Sequence, residues 1–465
     1  MNNNKYKTLL SNTVVFAIGN ILVKLVSFFL MPLYTSQLTV EQYGIAELLN
    51  SSIQIILPVA TLCVIDALFR FSIDEDAEHE KMMSTSINLI MKSFIIVLVV
   101  CIVFYLFSGY QYTAYFYLLF VATTLHKLFS QFARGIGHIK RFVASGVINT
   151  LTLVVMNVIL LVVFNGGVGS YLISLIISFF VAAMFSFFAS KEYLYINIKA
   201  IDKKLLKKML LFSIPNIPNM LSWWVNNISS RYVIMFFCGA GMAGMFTAAT
   251  KIPSMINLFV LIFQQAWQYS TAKEIQNDDS KVFFSRVLTY YSGFVFLICS
   301  ALIILIPYLA RLILQGDFYV AWKYVPLLLV AATLGAFSTY FGTFYIAIKN
   351  NIMAMTSTGI GATINIVLNL ILVPFIGVYG ALISSVVGYL IITIIRMIDT
   401  RKHISLNINY KFFFIRFALL LTQSIILTAE IPFAKTFTLI CFIIMIIIHL
   451  NLIGIIIKKI YNIIN

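Results

Sequence analysis

The sequence predicts an all-α integral membrane protein with about 14 transmembrane helices, and three observations carry this prediction. The composition is 61% hydrophobic and 10% charged, whereas a soluble domain is about 45–50% apolar and about 25% charged. The mean hydropathy of +0.98 is too high for a chain surrounded by water. The apolar residues also fall in runs of about 20, the length of helix that crosses the hydrocarbon of a bilayer.

Fourteen runs along the chain are long enough to be spans. The first follows the polar start "MNNNKYK" and is longer than the core of a signal peptide, so we expect a retained helix. The weakest are the fourth, which contains Lys127, and the thirteenth, which is short. The predicted spans are 11–34, 44–68, 85–107, 113–134, 141–164, 168–189, 212–238, 243–268, 284–307, 324–348, 352–374, 378–399, 411–429 and 437–457.

The distribution of Lys and Arg predicts that both termini are cytoplasmic. With the N-terminus inside, 26 of the 32 basic residues fall at inner ends and in inner loops. Only Arg311, Lys323 and Lys435 fall outside, and three more lie within spans. Cytoplasmic loops are enriched in Lys and Arg, so this bias favours an even number of crossings. We therefore interpret the formal charge of +16 as membrane anchoring and expect no nucleic-acid partner.

An internal repeat is visible in two pairs of segments. "NVILLVVFNGGVGSYLIS" (157–174) and "NLILVPFIGVYGALIS" (369–384) share an Asn, an apolar run, a Gly-Val turn and Leu-Ile-Ser. A weaker pair, "YGIAELLNSSI" (43–53) and "AGMFTAATKIP" (243–253), is offset by 200 residues. The repeated spans enter the membrane with the same orientation, so the repeat is parallel, as in many transporter folds.

The repeat predicts a division of the chain into lobes. Spans 1–6 form an N-terminal lobe (residues 1–190), spans 7–12 a C-terminal lobe (211–402), and residues 403–465 add two C-terminal helices. The connection 191–210 places lysines on one helical face and apolar residues on the other. This pattern favours an amphipathic helix on the anionic inner leaflet. A solvated linker is the alternative.

Three cations lie within predicted spans: Lys24, Arg231 and Lys251. Each costs at least about 2.5–3.5 kcal/mol at the bilayer centre, so each needs a polar cavity or a partner. No carboxylate stands midway in their spans, which favours an anionic ligand, such as a phosphate or carboxylate, bound between the repeated halves. The alternative is that Lys24 pairs with Glu47 while the other two contact backbone carbonyls or water.

Amide side chains offer further polar contacts in the same spans. Asn20, Asn226 and Asn227 are candidates for hydrogen bonds to the hydroxyls of a sugar. Hydrogen bonds between helices explain asparagines in spans equally well, and both interpretations stay open.

Several classes of function are excluded by what the chain lacks. The five cysteines and five histidines are scattered, with no spacing that suggests a disulfide framework or a metal site. There is no GxxxxGK[ST] phosphate loop. The longest outer stretch, 310–324, is too short for an active-site domain. We therefore expect a protein that is not an enzyme and has no cofactor or metal.

Three stretches resemble one family. "NTVVFAIGNILVKLVSFFLMPLYTSQLTVEQYGIAELLNS", "RYVIMFFCGAGMAGMFTAATKI" and "NLILVPFIGVYGALISS" are similar to bacterial polysaccharide-export flippases. These are the O-antigen or capsule repeat-unit flippases of the multidrug/oligosaccharidyl-lipid/polysaccharide exporter (MOP) superfamily. The resemblance covers nearly the whole chain in order and spacing. Members of the family often carry an acidic residue just before the position of Arg231, where this chain has Ser230.

The resemblance implies a flippase for a polyprenyl-pyrophosphate-linked oligosaccharide repeat unit in the bacterial cytoplasmic membrane. Two six-helix lobes would enclose a cationic cavity and alternate access, and the last two helices would add a groove for the lipid tail. Membrane lipid and other polysaccharide-assembly proteins would be the partners. Coupling to a proton or sodium gradient is also implied, and Asp66 and Glu47 are the candidate residues for it.

Two alternatives belong to other functional classes. A multidrug exporter of the same superfamily generally has twelve spans and an acidic cavity, and both properties differ from those predicted here. A membrane-bound glycan polymerase or ligase would need a larger outer loop than this chain contains.

Overall fold

The described part of the protein is all-helical. The computed structural model describes residues 26, 28–74, 76–274, 280–348, 351–404 and 409–450, and these contain no β-strand. The chain separates into two compact units, Met1–Trp224 and Val225–Asn465. The boundary between them lies within one helix, Asn216–Cys238.

Unit 1 is built around helix α7, which packs against α5 and α6. Helix α2 begins with a capping box, in which Thr39 Oγ1 accepts from the Gln42 amide and Gln42 Oε1 accepts from the Thr39 amide. The helices of unit 1 are α1 (Met31–Gln37), α2 (Val40–Ala60), α3 (Val64–Phe71), α4 (His79–Ser108), α5 (Thr113–Gly135), α6 (Ile139–Asn157), α7 (Gly167–Ala189), α8 (Lys203–Ser213) and the start of α9 (Asn216–Cys238).

Unit 2 is built around helix α15, which packs against α13 and α14. Its core contains a group of stacked aromatic rings, in which the Tyr340 ring centroid lies 4.8 Å from that of Trp267 and 5.2 Å from that of Tyr291. The helices that complete the chain are α10 (Ala240–Ala249), α11 (Ser254–Glu274), α12 (Ser280–Ile313), a 3₁₀ segment (Gly316–Tyr324), α13 (Val325–Ala347), α14 (Asn351–Ile376), α15 (Val378–His403), α16 (Tyr410–Thr428) and α17 (Ala434–Ile448).

The helices have the length and surface of membrane spans. Among the described residues, nine helices are long and apolar enough to cross a bilayer, and the bent pair α10–α11 makes a tenth if it is one span. Large apolar side chains point away from the protein, as with Phe107 at 90% exposure and Phe375 at 84%. The predicted all-α membrane fold is thus confirmed. The count of fourteen stays a prediction, because spans 11–34 and 437–457 extend beyond the described residues.

The predicted repeat appears as matching local geometry in the two units. Gly167 and Gly377 stand at the same point of the repeated motif and have φ of +59° and +58°, a region that glycine enters without steric cost. Seven residues further on, the buried Ser174 and Ser384 each donate to the carbonyl four residues earlier, at 2.8 and 2.7 Å. The same turn therefore begins the last helix of the repeat in both units.

The asparagine that opens the motif also has the same role in both copies. Asn157 and Asn369 are buried, and each donates from Nδ2 to a hydroxyl near the start of its own unit. Asn157 bonds to the Tyr34 hydroxyl at 2.9 Å, and Asn369 to the Ser230 hydroxyl at 3.1 Å. An amide in an apolar helix needs such a partner, so these bonds join distant segments of each unit.

The two copies differ in the length of the segment between this asparagine and the glycine. The interval is ten residues in the first copy, Asn157 to Gly167, and eight in the second, Asn369 to Gly377. The first copy contains a π-helical stretch, Val158–Val163, which accommodates extra residues within a helix. The second copy has Pro374 inside α14 instead.

The connection 191–210 is helical only in its second half. Two short 3₁₀ turns precede α8, and the Asp202 carboxylate accepts from the Lys204 and Leu205 amides at its start. Met209 is buried, because α8 packs on α3 and α4. The lysines of α8 are all exposed: Lys203, Lys204, Lys207 and Lys208.

A buried carboxyl group stands at the beginning of this connection, outside the spans. Glu192 is fully buried, and Ser186 Oγ donates to its Oε1. Burial raises the pKa of Glu192 to about 9, and the bond from Ser186 opposes this only in part. Glu192 therefore retains its proton at neutral pH, so no charge is buried at this junction.

Close helix packing in unit 2 gives a stability prediction. A Cβ at Gly380 of α15 would lie 2.6 Å from the carbonyl carbon of Leu372 and 2.7 Å from the Val373 amide nitrogen, both in the backbone of α14. Backbone cannot move aside locally, so we expect Gly380→Ala to lower the free energy of unfolding by about 1–3 kcal/mol. Thermal unfolding of the purified protein in detergent measures this change.

Gly359 in α14 supplies the control, since a Cβ there meets nothing within 4 Å. Gly359→Ala should leave the melting temperature unchanged or raise it slightly, as alanine favours a helix over glycine by about 1 kcal/mol. Equal melting temperatures for the two variants would contradict the close approach of α14 and α15.

Candidate functional site

Unit 1 contains a buried polar cluster around Glu47, defined as Tyr34, Tyr43, Glu47, Asn157 and Tyr171. The Tyr171 hydroxyl donates to Glu47 Oε1 at 2.9 Å, and the Tyr43 hydroxyl approaches the same oxygen at 3.4 Å. Asn157 donates to the Tyr34 hydroxyl, and the Tyr34 ring lies edge-on to that of Tyr171 with centroids 5.0 Å apart. Helices α1, α2, α6 and α7 thus each contribute to one site.

Sequence spacing explains how α2 contributes to this cluster. Tyr43 and Glu47 are four residues apart, so their side chains lie on the same face of the helix. Glu47 is only 5% exposed. Burying a carboxyl group without hydrogen-bond donors raises the free energy of the folded state. The tyrosine hydroxyls supply such donors here. These hydrogen bonds therefore hold the Glu47 carboxyl group in the interior of unit 1.

The second unit lacks this acid. Thr247 stands 200 residues after Glu47, at the corresponding position of the weaker repeat, and its hydroxyl donates to the carbonyl of Ala243 within its own helix. The amide of Asn369 bonds to Ser230 and to Asn365 Oδ1, at 3.1 and 2.9 Å. The counterpart in unit 2 is therefore a neutral network, and the carboxyl group distinguishes the two copies.

Asp66 belongs to a different group from Glu47. Arg70 is four residues further along the chain, but it pairs with Asp74 at 2.7 Å. Asp66 instead lies 4.0 Å from Lys127 of α5, and both side chains are about one-third exposed. Asp66 and Glu47 therefore do not share one site, and the Asp66–Lys127 pair is partly open to solvent.

The two predicted cations of unit 2 lie in different local structures. Arg231 is half-buried on α9, directly after the hydroxyl that receives the Asn369 bond. Lys251 is half-buried in the break between α10 and α11, where the chain bends by 47°. The sequence predicts Lys251 inside the span 243–268, and within that stretch Pro253 has no amide hydrogen and interrupts the helical bonding.

The other predicted site residues lie beyond the described part of the chain. Lys24 and Asn20 are outside the described residues, so the proposed Lys24–Glu47 pair stays a prediction. Asn226 and Asn227 are on helix α9, but their side chains are also outside the described part. Their roles remain predictions.

Arg396 is a buried cation that the sequence analysis did not single out. Its guanidinium makes five hydrogen bonds at 2.8–3.1 Å, all to neutral oxygens. Every N–H is used, so Arg396 has no donor left for a ligand. Gly342 makes room for it, because a Cβ there would lie 2.6 Å from Nη1. The acceptors are on α13 and α14: Ser338, Ala354, Ser357 and Thr358.

The apolar exterior, the helix lengths and the repeat define a multi-pass membrane protein of two related units. Comparison with known proteins gives its family. The family model described as "Polysaccharide biosynthesis protein" matches residues 9–268, more than half of the chain. The protein therefore belongs to the polysaccharide biosynthesis protein family. A comparison with curated protein sequences gives no match.

Solved structures show the same fold. A lipid II flippase, MurJ, in an inward closed conformation matches 95% of this chain and 100% of its own, with TM-score 0.71 and 15% identity. An inward-facing multidrug resistance transporter of the MATE family and MOP superfamily matches 84% of this chain and 98% of its own, with TM-score 0.67 and 15% identity. A MOP superfamily transporter from Pyrococcus furiosus matches 85% and 93%, with TM-score 0.51 and 16% identity. The predicted fold, that of MOP superfamily transporters, is thus confirmed.

The Glu47 cluster gives a prediction about stability. Glu47→Ala should lower the free energy of unfolding by about 1–3 kcal/mol, because the tyrosine hydroxyls lose their acceptor in an apolar interior. Glu47→Gln should keep most of the stability, since its amide oxygen accepts the same bonds. Thermal unfolding in detergent compares the two variants.

Glu41→Ala, at an exposed position in the first turn of the same helix, is the matched control and should cost under about 1 kcal/mol. A loss for Glu47→Gln as large as that for Glu47→Ala would show that the cluster depends on the charge of Glu47 and not on its acceptor oxygen.

Proposed function

We propose that the protein is a flippase for a polyprenyl-pyrophosphate-linked oligosaccharide repeat unit and serves surface polysaccharide biosynthesis. Family membership connects the chain to polysaccharide biosynthesis, and the fold is that of MOP superfamily transporters. The observation that favours a flippase is the extent of the structural likeness. The lipid II flippase matches 95% of the chain, whereas the MATE transporter matches 84%.

The chemistry of the proposed substrate fits the predicted cations. A pyrophosphate carries its charge close to the lipid, so it needs cationic or hydrogen-bonding partners wherever it leaves water. Arg231, Lys24 and Lys251 are the proposed partners, and arginine in particular binds phosphate through two parallel hydrogen bonds. The polyprenyl chain can stay in the bilayer, so only the headgroup has to cross. We propose alternating access through a cationic central cavity as the mechanism.

Coupling to an ion gradient would use an acid that changes its protonation or its bound cation. Glu47 is the stronger candidate, because it is buried and held by hydroxyl donors. Asp66 is the second candidate, with Lys127 beside it. Binding of a proton or a cation at Glu47 would alter the hydrogen bonds that join four helices of unit 1, which is a physical route from ion binding to conformation.

The proposal includes a cellular location and partners for the protein. We propose the bacterial cytoplasmic membrane as the location, with polysaccharide-assembly proteins acting on the translocated unit. The proposal includes no catalytic step, and the sugar composition of the substrate is left open. A multidrug exporter is the second candidate, because the MATE transporters share the fold.

A deletion strain separates the two candidates. Loss of the protein should reduce surface polysaccharide and cause lipid-linked repeat units to accumulate inside the cell, and the wild-type gene should restore both. Normal surface polysaccharide together with altered drug sensitivity would overturn the flippase proposal in favour of the exporter.

The cations can be tested in the same strain. Arg231→Ala and Lys24→Ala should each reduce export about tenfold or more, because a charge-assisted hydrogen bond to phosphate contributes about 1.5–3 kcal/mol. Arg286→Ala removes an exposed arginine from the inner end of α12 and is the control. The protein level in the membrane is measured in each case. Export at the wild-type rate by both variants would assign these cations a structural role.

A further inference from the structure

The three basic residues that the positive-inside rule leaves outside come together at one end of unit 2. Arg311 lies near the end of α12, Lys323 in the 3₁₀ segment that follows, and Lys435 at the start of α17. These positions belong to two different connections, one between α12 and α13 and one between α16 and α17. This end of unit 2 has few cations, yet they lie close together. Cations that only anchored the protein in the membrane would be distributed more evenly.

A cavity separates these two connections. Its volume is about 410 Å³, and a second cavity of about 350 Å³ adjoins it and shares Pro307, Leu427 and Lys435. Known ligand sites have volumes of about 300–1,000 Å³, so this space is large enough for a lipid headgroup. The polar and aromatic residues of the lining are Arg311, Tyr319, Trp322, Glu430, Phe433 and Lys435.

The charge of this cavity is positive. Glu430, the one acid among the described residues that line it, is already bound to Lys323, with Nζ 2.9 Å from Oε1. Arg311 and Lys435 are exposed, and neither has an ion-pair partner among the described residues. Two cations with donors available therefore face the cavity, in contrast to Arg396, whose donors are all used.

Exposed apolar side chains also line the cavity. Ile431 and Phe433 also line it and are 46% and 79% exposed, in the turn between α16 and α17. Trp322 and Tyr319 add aromatic rings of the kind that favours the headgroup level of a membrane. Cations beside exposed apolar and aromatic groups form a surface that matches an amphipathic molecule with an anionic head.

The packing beneath the cavity holds the two connections in place. The buried Gln423 of α16 accepts from the Ser300 hydroxyl of α12 at 2.7 Å and donates to the Thr438 carbonyl of α17 at 3.1 Å. In the turn above them, Glu430 and Phe433 have φ of +49° and +64°, both in the left-handed region. Buried hydrogen bonds thus join the helices that carry the two connections.

We propose that this cavity is an outer-leaflet site for the phosphate group of a lipid. Arg311 and Lys435 would bind the phosphate, Arg311 through paired hydrogen bonds and Lys435 as a point charge. Ile431 and Phe433 would contact the start of the hydrocarbon chain. A polyprenyl pyrophosphate and an anionic phospholipid share this chemistry, and neither Arg231 nor Lys251 lines the cavity.

Lipid binding to the purified full-length protein in detergent tests the site. Native mass spectrometry measures the number and apparent affinity of bound phosphatidylglycerol, farnesyl pyrophosphate and, as the zwitterionic reference, phosphatidylcholine. The double variant Arg311→Gln/Lys435→Gln should retain one fewer anionic lipid, with an affinity at this site at least about tenfold lower. The anionic probe that shows the larger loss identifies the source of the phosphate, and displacement by inorganic pyrophosphate shows that the phosphate is the group bound.

Two further variants exclude a general effect of charge. Lys281→Gln/Arg286→Gln removes the same two charges from exposed positions at the inner end of α12 and should bind like the wild type. Glu430→Gln leaves Lys323 without its partner, so the cavity gains positive charge and should bind the anionic probe more tightly.

Equal binding by the wild type and the Arg311→Gln/Lys435→Gln variant would overturn the proposal and leave these cations as membrane anchors. An equal loss in the Lys281→Gln/Arg286→Gln variant would overturn it as well. Neither result bears on transport, which the deletion strain measures independently, so this site and the proposed function fail separately.

Discussion

The structure depends on one constraint, which is that a polar group surrounded by hydrocarbon must find its partner within the protein. Arg396 shows the constraint most fully, because all its N–H groups reach oxygens on two neighbouring helices. Gln423 does the same between α12, α16 and α17. Apolar contact between helices differs little from contact with lipid, so these bonds and close backbone packing supply the specificity of the fold. The buried asparagines Asn157 and Asn369 apply the same rule at matching points of the two units.

The two copies of the repeat are most informative at the position where they differ. The turn glycines, the serine bonds and the asparagine bonds are alike in both units, which indicates that they maintain the fold. The carboxyl group at Glu47 has no acid at the corresponding Thr247. A feature that only one copy carries is not required for the shared architecture. The carboxyl group of Glu47 is therefore the difference between the copies on which the proposed ion coupling rests.

Much of the fold was predictable from the chain, and the reasons are local. Hydropathy over windows of about 20 residues identifies spans because the bilayer has a fixed thickness. The Gly-Val turn and Leu-Ile-Ser revealed the repeat because both the glycine conformation and the serine bond depend on neighbours in sequence. The site was less predictable. Tyr171 is 124 residues from Glu47, and the acceptors of Arg396 lie 38 to 58 residues before it, so no local pattern indicates either group.

Two further contacts show the same limit of sequence. Asp66 stands four residues before Arg70 in the chain, but helix packing brings it to Lys127 on α5. Lys251 lies where the chain bends between α10 and α11, and Pro253 is the local signal for this bend. Arg311 and Lys435 come from two separate connections, so their convergence on one cavity, with Lys323 bound to its Glu430, could be seen only in the tertiary structure.

Reconstitution measures the central claim directly. The purified protein is placed in liposomes whose inner leaflet contains a fluorescent polyprenyl-pyrophosphate-linked oligosaccharide, and a membrane-impermeant reagent quenches the probe that reaches the outer leaflet. If the protein is a flippase, probe from the inner leaflet should reach the outer leaflet and be quenched within minutes. A probe with a neutral head in place of the pyrophosphate should not be quenched in this way. Quenching no faster than in protein-free liposomes, across imposed proton and sodium gradients of either direction, would contradict the account.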